Sequence, residues 1–209
     1  PREDKTLLPD ERRRVVIGFF RDGDFYTLKG MCGALLSAAG IDDAAYVAES
    51  NDAAFHPGRC AKIVFADGEV LGVFGEIHPS VQENYAIDAP VYIVDLDFAT
   101  LFAHSKRDRM FSPLPKFPAV TRDFAFVCDD SLEVGKIEAV MKLAGGKTVE
   151  SVKLFDVYRG KQLGEGKKSV AYSVSLRAAD HTLTDEEADK TAKKILTLLE
   201  RELGITLRA

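Results

Sequence analysis

The sequence predicts an α+β protein of antiparallel strands and helices, and three local patterns carry that expectation. Residues 169–176 alternate, with Val170, Tyr172, Val174 and Leu176 on one side and Ser169, Ala171, Ser173 and Ser175 on the other. A period of two belongs to a strand with one face turned to a core. Asp67-Gly68 sits between the apolar runs 61–66 and 69–74, and this dipeptide accepts the positive φ angles of a tight hairpin turn. Thr184-Asp185-Glu186-Glu187 has the spacing of a capping box, in which the Thr hydroxyl and the Glu carboxylate satisfy each other's backbone donors at the start of a helix.

Composition bounds what such a chain can be. At 209 residues, with 46% hydrophobic and 29% charged side chains, it is long enough for two modest domains and has the make-up of an ordinary folded protein. No apolar run approaches the length of a membrane span. The chain opens Pro1-Arg2-Glu3-Asp4, with neither an initiator Met nor a signal peptide, and so reads as a piece of a longer polypeptide. Cys32, Cys60 and Cys128 are widely spaced and odd in number, which fits neither a disulfide framework nor a zinc site, and a reducing, cytoplasmic setting is expected. The net charge of −5 divides unevenly: there are 12 basic and 18 acidic side chains up to Pro115, then 16 and 15. The second half is therefore not a nucleic-acid binder by bulk charge, and binding there has to be local.

In chain order, a polar lead-in (1–13) precedes a strand at 15–20. A helix follows at 25–39, where Leu28, Cys32, Leu35 and Ala39 recur at helical spacing and Gly40 stands where a glycine ends a helix. The 61–66 and 69–74 hairpin comes next. Pro79 then opens a short helix, 91–97 is a strand and 98–103 an apolar helix. Lys106-Arg107-Asp108-Arg109 followed by Pro113, Pro115 and Pro118 marks a composition shift, so we expect a domain at 1–104, a linker at 105–116 and a second domain at 117–209.

The second domain spells a strand (122–128), a helix (133–143, ended by Gly145-Gly146), two long strands either side of a Lys/Gly-rich turn at 161–168, a helix from Thr184 and a closing strand at 205–207. In the last helix Ala188, Ala192, Ile195, Leu199 and Leu203 form one stripe, with Lys190, Lys193, Lys194 and Glu200 toward water. The order βαββαβ is the ferredoxin-like arrangement, with both helices on one face of a four-stranded antiparallel sheet. Its other face stays open, and RNA-recognition modules of this topology lay unstacked bases on that face. Small residues at Ser169, Ala171, Ser173 and Ser175 leave room for something flat, and Arg159, Lys161, Lys167 and Lys168 put positive charge at the rim.

Several blocks also carry a family resemblance. Lys116-Phe117-Pro118 with Arg122-Asp123, the run from Phe155 to Gly160, Gly166-Lys167-Lys168-Ser169 and Thr182-Leu183-Thr184-Asp185-Glu186-Glu187 resemble, in that order, the ferredoxin-fold anticodon-binding domain of the bacterial phenylalanyl-tRNA synthetase β subunit. In the first half the runs from Phe25 to Gly30, Phe55 to Arg59 and Gly72 to Pro79 resemble the β-subunit core, a catalytic-like module of the class II synthetase kind. One departure is Thr27, where the family usually has an acidic residue. The resemblance covers nearly the whole chain and corresponds to the C-terminal quarter of the subunit.

It implies part of the ligase that joins phenylalanine to tRNA(Phe) with ATP and magnesium in the cytoplasm, in an α2β2 heterotetramer whose chemistry belongs to the α subunit. The residues agree with that division of labour, since the first domain has no Gly-x-Gly-x-Gly-x-x-Arg block for nucleotide phosphates. We expect no catalytic residue, no metal ligand and no cofactor here, and no activity from this portion alone. His56 and His78 precede prolines in loops, where a structural hydrogen bond is the expected role. Gly72 and Gly75 are expected to mark close packing.

The candidate tRNA-binding residues are Phe155, Arg159, Lys161, Lys167, Lys168, Ser169, Ser173 and Arg122. For Phe155 stacking on a base and core packing stand about level. Leu154 and Tyr158 are expected to face the helices unless a bulge near Asp156 reverses the register. Arg122 and Asp156 stand equally as RNA contacts or as an internal ion pair. The competing expectation is an assembly module with no direct RNA contact. A small hydrolase would need an acid/base pair in a cleft, and no such pair is legible.

Overall fold

The computed structural model describes residues 11–106 and 113–208. The chain divides into two compact units, residues 1–111 and 112–209. Residues 1–10 of the expected lead-in and 107–112 of the expected linker lie outside the described residues.

The first unit comprises β1 (Arg14–Phe20), α1 (Phe25–Ala38), β2 (Ala45–Ala48), β3 (Phe55–Val64), β4 (Val70–Ile77), α2 (Pro79–Asn84), β5 (Val91–Asp97) and α3 (Phe98–His104). The strands form an antiparallel sheet in the order β1-β5-β4-β3-β2. Helix α1 brings Leu28, Cys32 and Leu36 onto Ile63, Phe74, Val94 and Leu96, which builds the core. It starts where Asp24 accepts from the Thr27 amide at 2.8 Å and the Thr27 hydroxyl accepts from the Asp24 amide at 3.3 Å. Thr27 thus does the capping work that a carboxylate commonly does at this position. Gly40, at φ 71°, ends the helix in the left-handed region that favours glycine.

Two features of this unit differ from the sequence reading. Strand β2 had no counterpart there, because four residues at a sheet edge are too short to show a period. Strand β3 begins earlier than expected, at Phe55, and places His56 in a strand rather than a loop. Pro57 and Gly58 hide this extension, and the backbone accommodates them by leaving register between Phe55 and Cys60. A Cβ at Gly72 would run into the Asp95 carbonyl, and one at Gly75 into the Arg59 carbonyl. These glycines serve strand packing, as expected.

The second unit comprises β6 (Val120–Asp129), α4 (Val134–Gly145), β7 (Val149–Tyr158), β8 (Lys167–Leu176), α5 (Asp185–Leu203) and β9 (Thr206–Leu207). The sheet order β7-β8-β6-β9, antiparallel throughout, is that of the ferredoxin-like fold. Phe124, Phe126, Val170, Tyr172, Val174 and Leu176 meet Ile137 and Met141 of α4 and Ile195 and Leu199 of α5. Both helices therefore cover one face. The buried Tyr172 hydroxyl donates to the Val134 carbonyl at 3.0 Å, and burial raises its pKa. The expected capping box forms, with the Thr184 amide donating to Glu187 Oε2 at 2.9 Å and the Glu187 amide to Thr184 Oγ1 at 3.3 Å.

Candidate nucleic-acid interface

The register of β6, β7 and β8 decides what the uncovered face of the second sheet carries. Opposite the helices, Ala171 pairs with Ala125, Ser173 with Asp123 and Ser175 with Thr121. On the other side of β8, Ser173 pairs with Lys153 and Ser175 with Ser151. The two central strands thus present a floor of short side chains that includes Asp123, with Lys153 and Asp156 beside it on the edge strand.

A bulge in β7 shapes the rest. Pairing runs Leu154↔Tyr172 and then Asp156↔Ala171, which leaves Phe155 without a partner across the ladder. Phe155 is 56% exposed, so solvent exposure replaces core packing as its environment. Past the bulge Val157 meets Val170 and Tyr158 meets Ser169. Tyr158 is thereby moved to the uncovered face, at 40% exposure, while Leu154 keeps to the helix side as expected. Two aromatic side chains stand exposed on the edge strand beside a floor of Ala and Ser, an arrangement on which planar bases can stack.

The cations expected at the rim are arranged otherwise. Lys167 and Lys168 belong to β8 and not to the turn. Lys168 is only 6% exposed, and its Nζ donates to the Asp130 carbonyl at 2.8 Å. Its position shares the helix-side parity of Val170, so its charge is spent inside the unit. Ser169 is 5% exposed and has no open surface to offer a ligand. Arg159 donates to Asp130 Oδ1 and Lys167 to Asp129 Oδ1, both at 2.7 Å. These two side chains remain exposed but paired. The side chain of Lys161 lies outside the described residues. Arg122 pairs across the ladder with Val174, on the helix side. It donates to Asp185 at 2.8 Å and Asp189 at 3.1 Å of α5, which raises its pKa. Its ion pair is thus made with α5 and not with Asp156. Of the expected residues, Ser173 lies on the uncovered face and Phe155 is exposed at the bulge of the adjoining edge strand.

Lys153 and Tyr158 also lie on this face and were not among the expected residues. Lys153 was legible in principle, since it alternates with the inward Val152 and Leu154. Tyr158 follows the alternative in which a bulge near Asp156 reverses the register, although no role was expected of it.

In the first unit the two histidines that precede prolines make local hydrogen bonds. His56 Nδ1 accepts from the Gly58 amide at 3.0 Å and His78 Nδ1 from the Ser80 amide at 3.2 Å. Arg59 Nη2 donates to Glu76 Oε1 at 2.8 Å, which ties together two of the sequence blocks singled out above. Asp67, Glu69 and His104 bring their ligating atoms within 4.8 Å of one another. Asp67 accepts from the Glu69 amide, and Glu69 from Thr100 and His104, so the hairpin turn and its tie to α3 account for this group.

Fold and face together define a class. Residues 115–208 match the family model described as ferredoxin-fold anticodon binding domain, and residues 2–98 match that of the phenylalanyl tRNA synthetase beta chain CLM domain. The second match replaces the broader expectation of a class II core with a β-chain module. The chain belongs to the phenylalanyl-tRNA synthetase β-subunit family. It is 45% identical over 208 residues to the phenylalanine–tRNA ligase beta subunit of Clostridium tetani and 39% identical over 208 residues to that of Clostridium acetobutylicum, covering all of this chain and 26% of each relative. To the Symbiobacterium thermophilum subunit it is 41% identical over 189 residues, 90% of this chain and 21% of that relative. The chain thus spans about a quarter of the length of the first two relatives. Among the described residues no helix is long and apolar enough to cross a membrane.

Proposed function

We propose that this chain is the C-terminal part of the β subunit of a phenylalanine–tRNA ligase and that its second unit reads the anticodon end of tRNA(Phe). The observation that carries this reading is Phe155, left unpaired and exposed by the β7 bulge on the strand that borders Ala171 and Ser173. A splayed loop base stacks on Phe155, Tyr158 flanks the same face, and Lys153 meets a phosphate there. The first unit packs in the assembly as a scaffold, the α subunit of an α2β2 enzyme carries the chemistry with ATP and magnesium, and the setting is cytoplasmic. The domain limits 1–104 and 117–209, with a linker at 105–116, belong to the same proposal.

The test is Phe155→Ala in the complete enzyme, with tRNA(Phe) binding and amino-acid activation measured separately. Loss of one stacked base weakens tRNA binding by about 1–3 kcal/mol, and phenylalanine activation stays at the parent rate. Unchanged tRNA affinity together with an altered subunit assembly would favour the scaffold reading instead.

A further inference from the structure

At the other end of β8 from the hairpin, a groove of about 390 Å³ lies between the 177–183 loop, the 147–148 turn and the first turns of α5. Its acidic members are already engaged. Asp180 accepts from His181 at 2.7 Å, and Glu187 accepts from His181 at 3.2 Å and from the Thr184 amide at 2.9 Å. Arg177 holds Glu150 at 2.9 Å and also donates to the Phe117 carbonyl. Lys147, Lys190 and Lys194 remain, all exposed, and among the described residues no ion pair engages them. Lys190 and Lys194 are four apart on α5 and project side by side. The hairpin cations Arg159 and Lys167 each have a carboxylate, whereas these lysines have none.

We propose that this groove binds consecutive backbone phosphates of the RNA strand whose bases lie on the open sheet. The connection is physical. Ser175, on the open face, donates to Glu150 at 3.0 Å, Glu150 is held by Arg177, and Arg177 lines the groove. A strand leaving the open face at Ser151 and Ser175 reaches the three ammonium groups by turning round this end of the sheet past Glu150 and Arg177. Point charges on flexible stems suit phosphates at no fixed angle, so the groove adds affinity without reading sequence. The proposal rests on the RNA-reading role proposed above and adds phosphate contacts at α5 to the one at Lys153, in place of those expected of the hairpin.

The experiment compares the complete ligase with the K147Q/K190Q/K194Q variant and with F155A, measuring tRNA affinity from 50 to 200 mM salt. Loss of three phosphate contacts flattens the slope of log affinity against log salt by about 2 to 2.7, equally for cognate and non-cognate tRNA, with an unchanged thermal unfolding midpoint. A parental slope in the triple variant, while F155A still weakens binding, overturns the groove and leaves the sheet reading intact. If neither variant alters tRNA binding, both proposals fall.

Discussion

The Lys168 ammonium donates to the Asp130 main-chain carbonyl at 2.8 Å, from a side chain buried between the start of β8 and the loop after β6. With Arg159 on Asp130 and Lys167 on Asp129, the Lys/Gly-rich hairpin is fastened to the end of β6 and the residue after it. Lys168→Met keeps the apolar stem and removes the charge. It should destabilise the second unit by about 1.5–3 kcal/mol, the range for a hydrogen bond to a charged group. Arg159→Gln and Lys167→Gln, at exposed pairs, should each change stability by less than about 1 kcal/mol. Urea unfolding of the three variants would show the ranking, and equal effects would contradict an inward role for Lys168.

Strands β3, β4 and β5 approach so closely at Gly72 and Gly75 that a methyl group has nowhere to go except into backbone. Gly72→Ala and Gly75→Ala should each lower the stability of the first unit by roughly 1–3 kcal/mol through overpacking. Hydrogen exchange at β4 amides should accelerate accordingly. If either variant exchanges at the parent rate, the close approach is not as described.

Glu150 is held below the usual carboxylate range, first by Arg177 and then by the Ser175 hydroxyl. A depressed folded-state pKa means that its stabilising effect is present above the unfolded value near 4.5 and disappears as pH falls through the folded value. Protection of β7 and β8 amides should therefore drop on acidification below about pH 4.5, and Glu150→Gln should show less of that drop. An identical acid profile in the variant would exclude this pair as the cause.

His181 has the opposite sign. Asp180, and after it Glu187, raise its pKa above 6.5. The stability it adds is complete below that value and is lost as pH rises through the raised one. Because Glu187 also closes the α5 capping box, amide exchange in the first turn of α5 should quicken as pH rises above 6.5 and through the raised value, beyond the intrinsic base-catalysed rise. His181→Asn should abolish that excess, and its persistence would assign it elsewhere.

Where a pattern repeats along a whole element, the amino-acid order alone decided the outcome. The alternation of Val170 to Leu176, the α5 stripe with its Thr184 start and Gly204 stop, and the Asp67-Gly68 hairpin all appear as read, because burial on one face writes a period into the chain. The order of elements likewise specified the ferredoxin-like arrangement. Folding in three dimensions decided everything that depends on a partner distant in sequence. Arg122 reaches Asp185 and Asp189, Lys168 reaches Asp130, and Lys147 joins Lys190 and Lys194 only once β7, β8 and α5 are assembled. One extra residue at Phe155 moved Tyr158 to the other side of the sheet. A single unpaired residue leaves no periodic trace in a sequence, and a charge carries no mark of which distant charge will neutralise it.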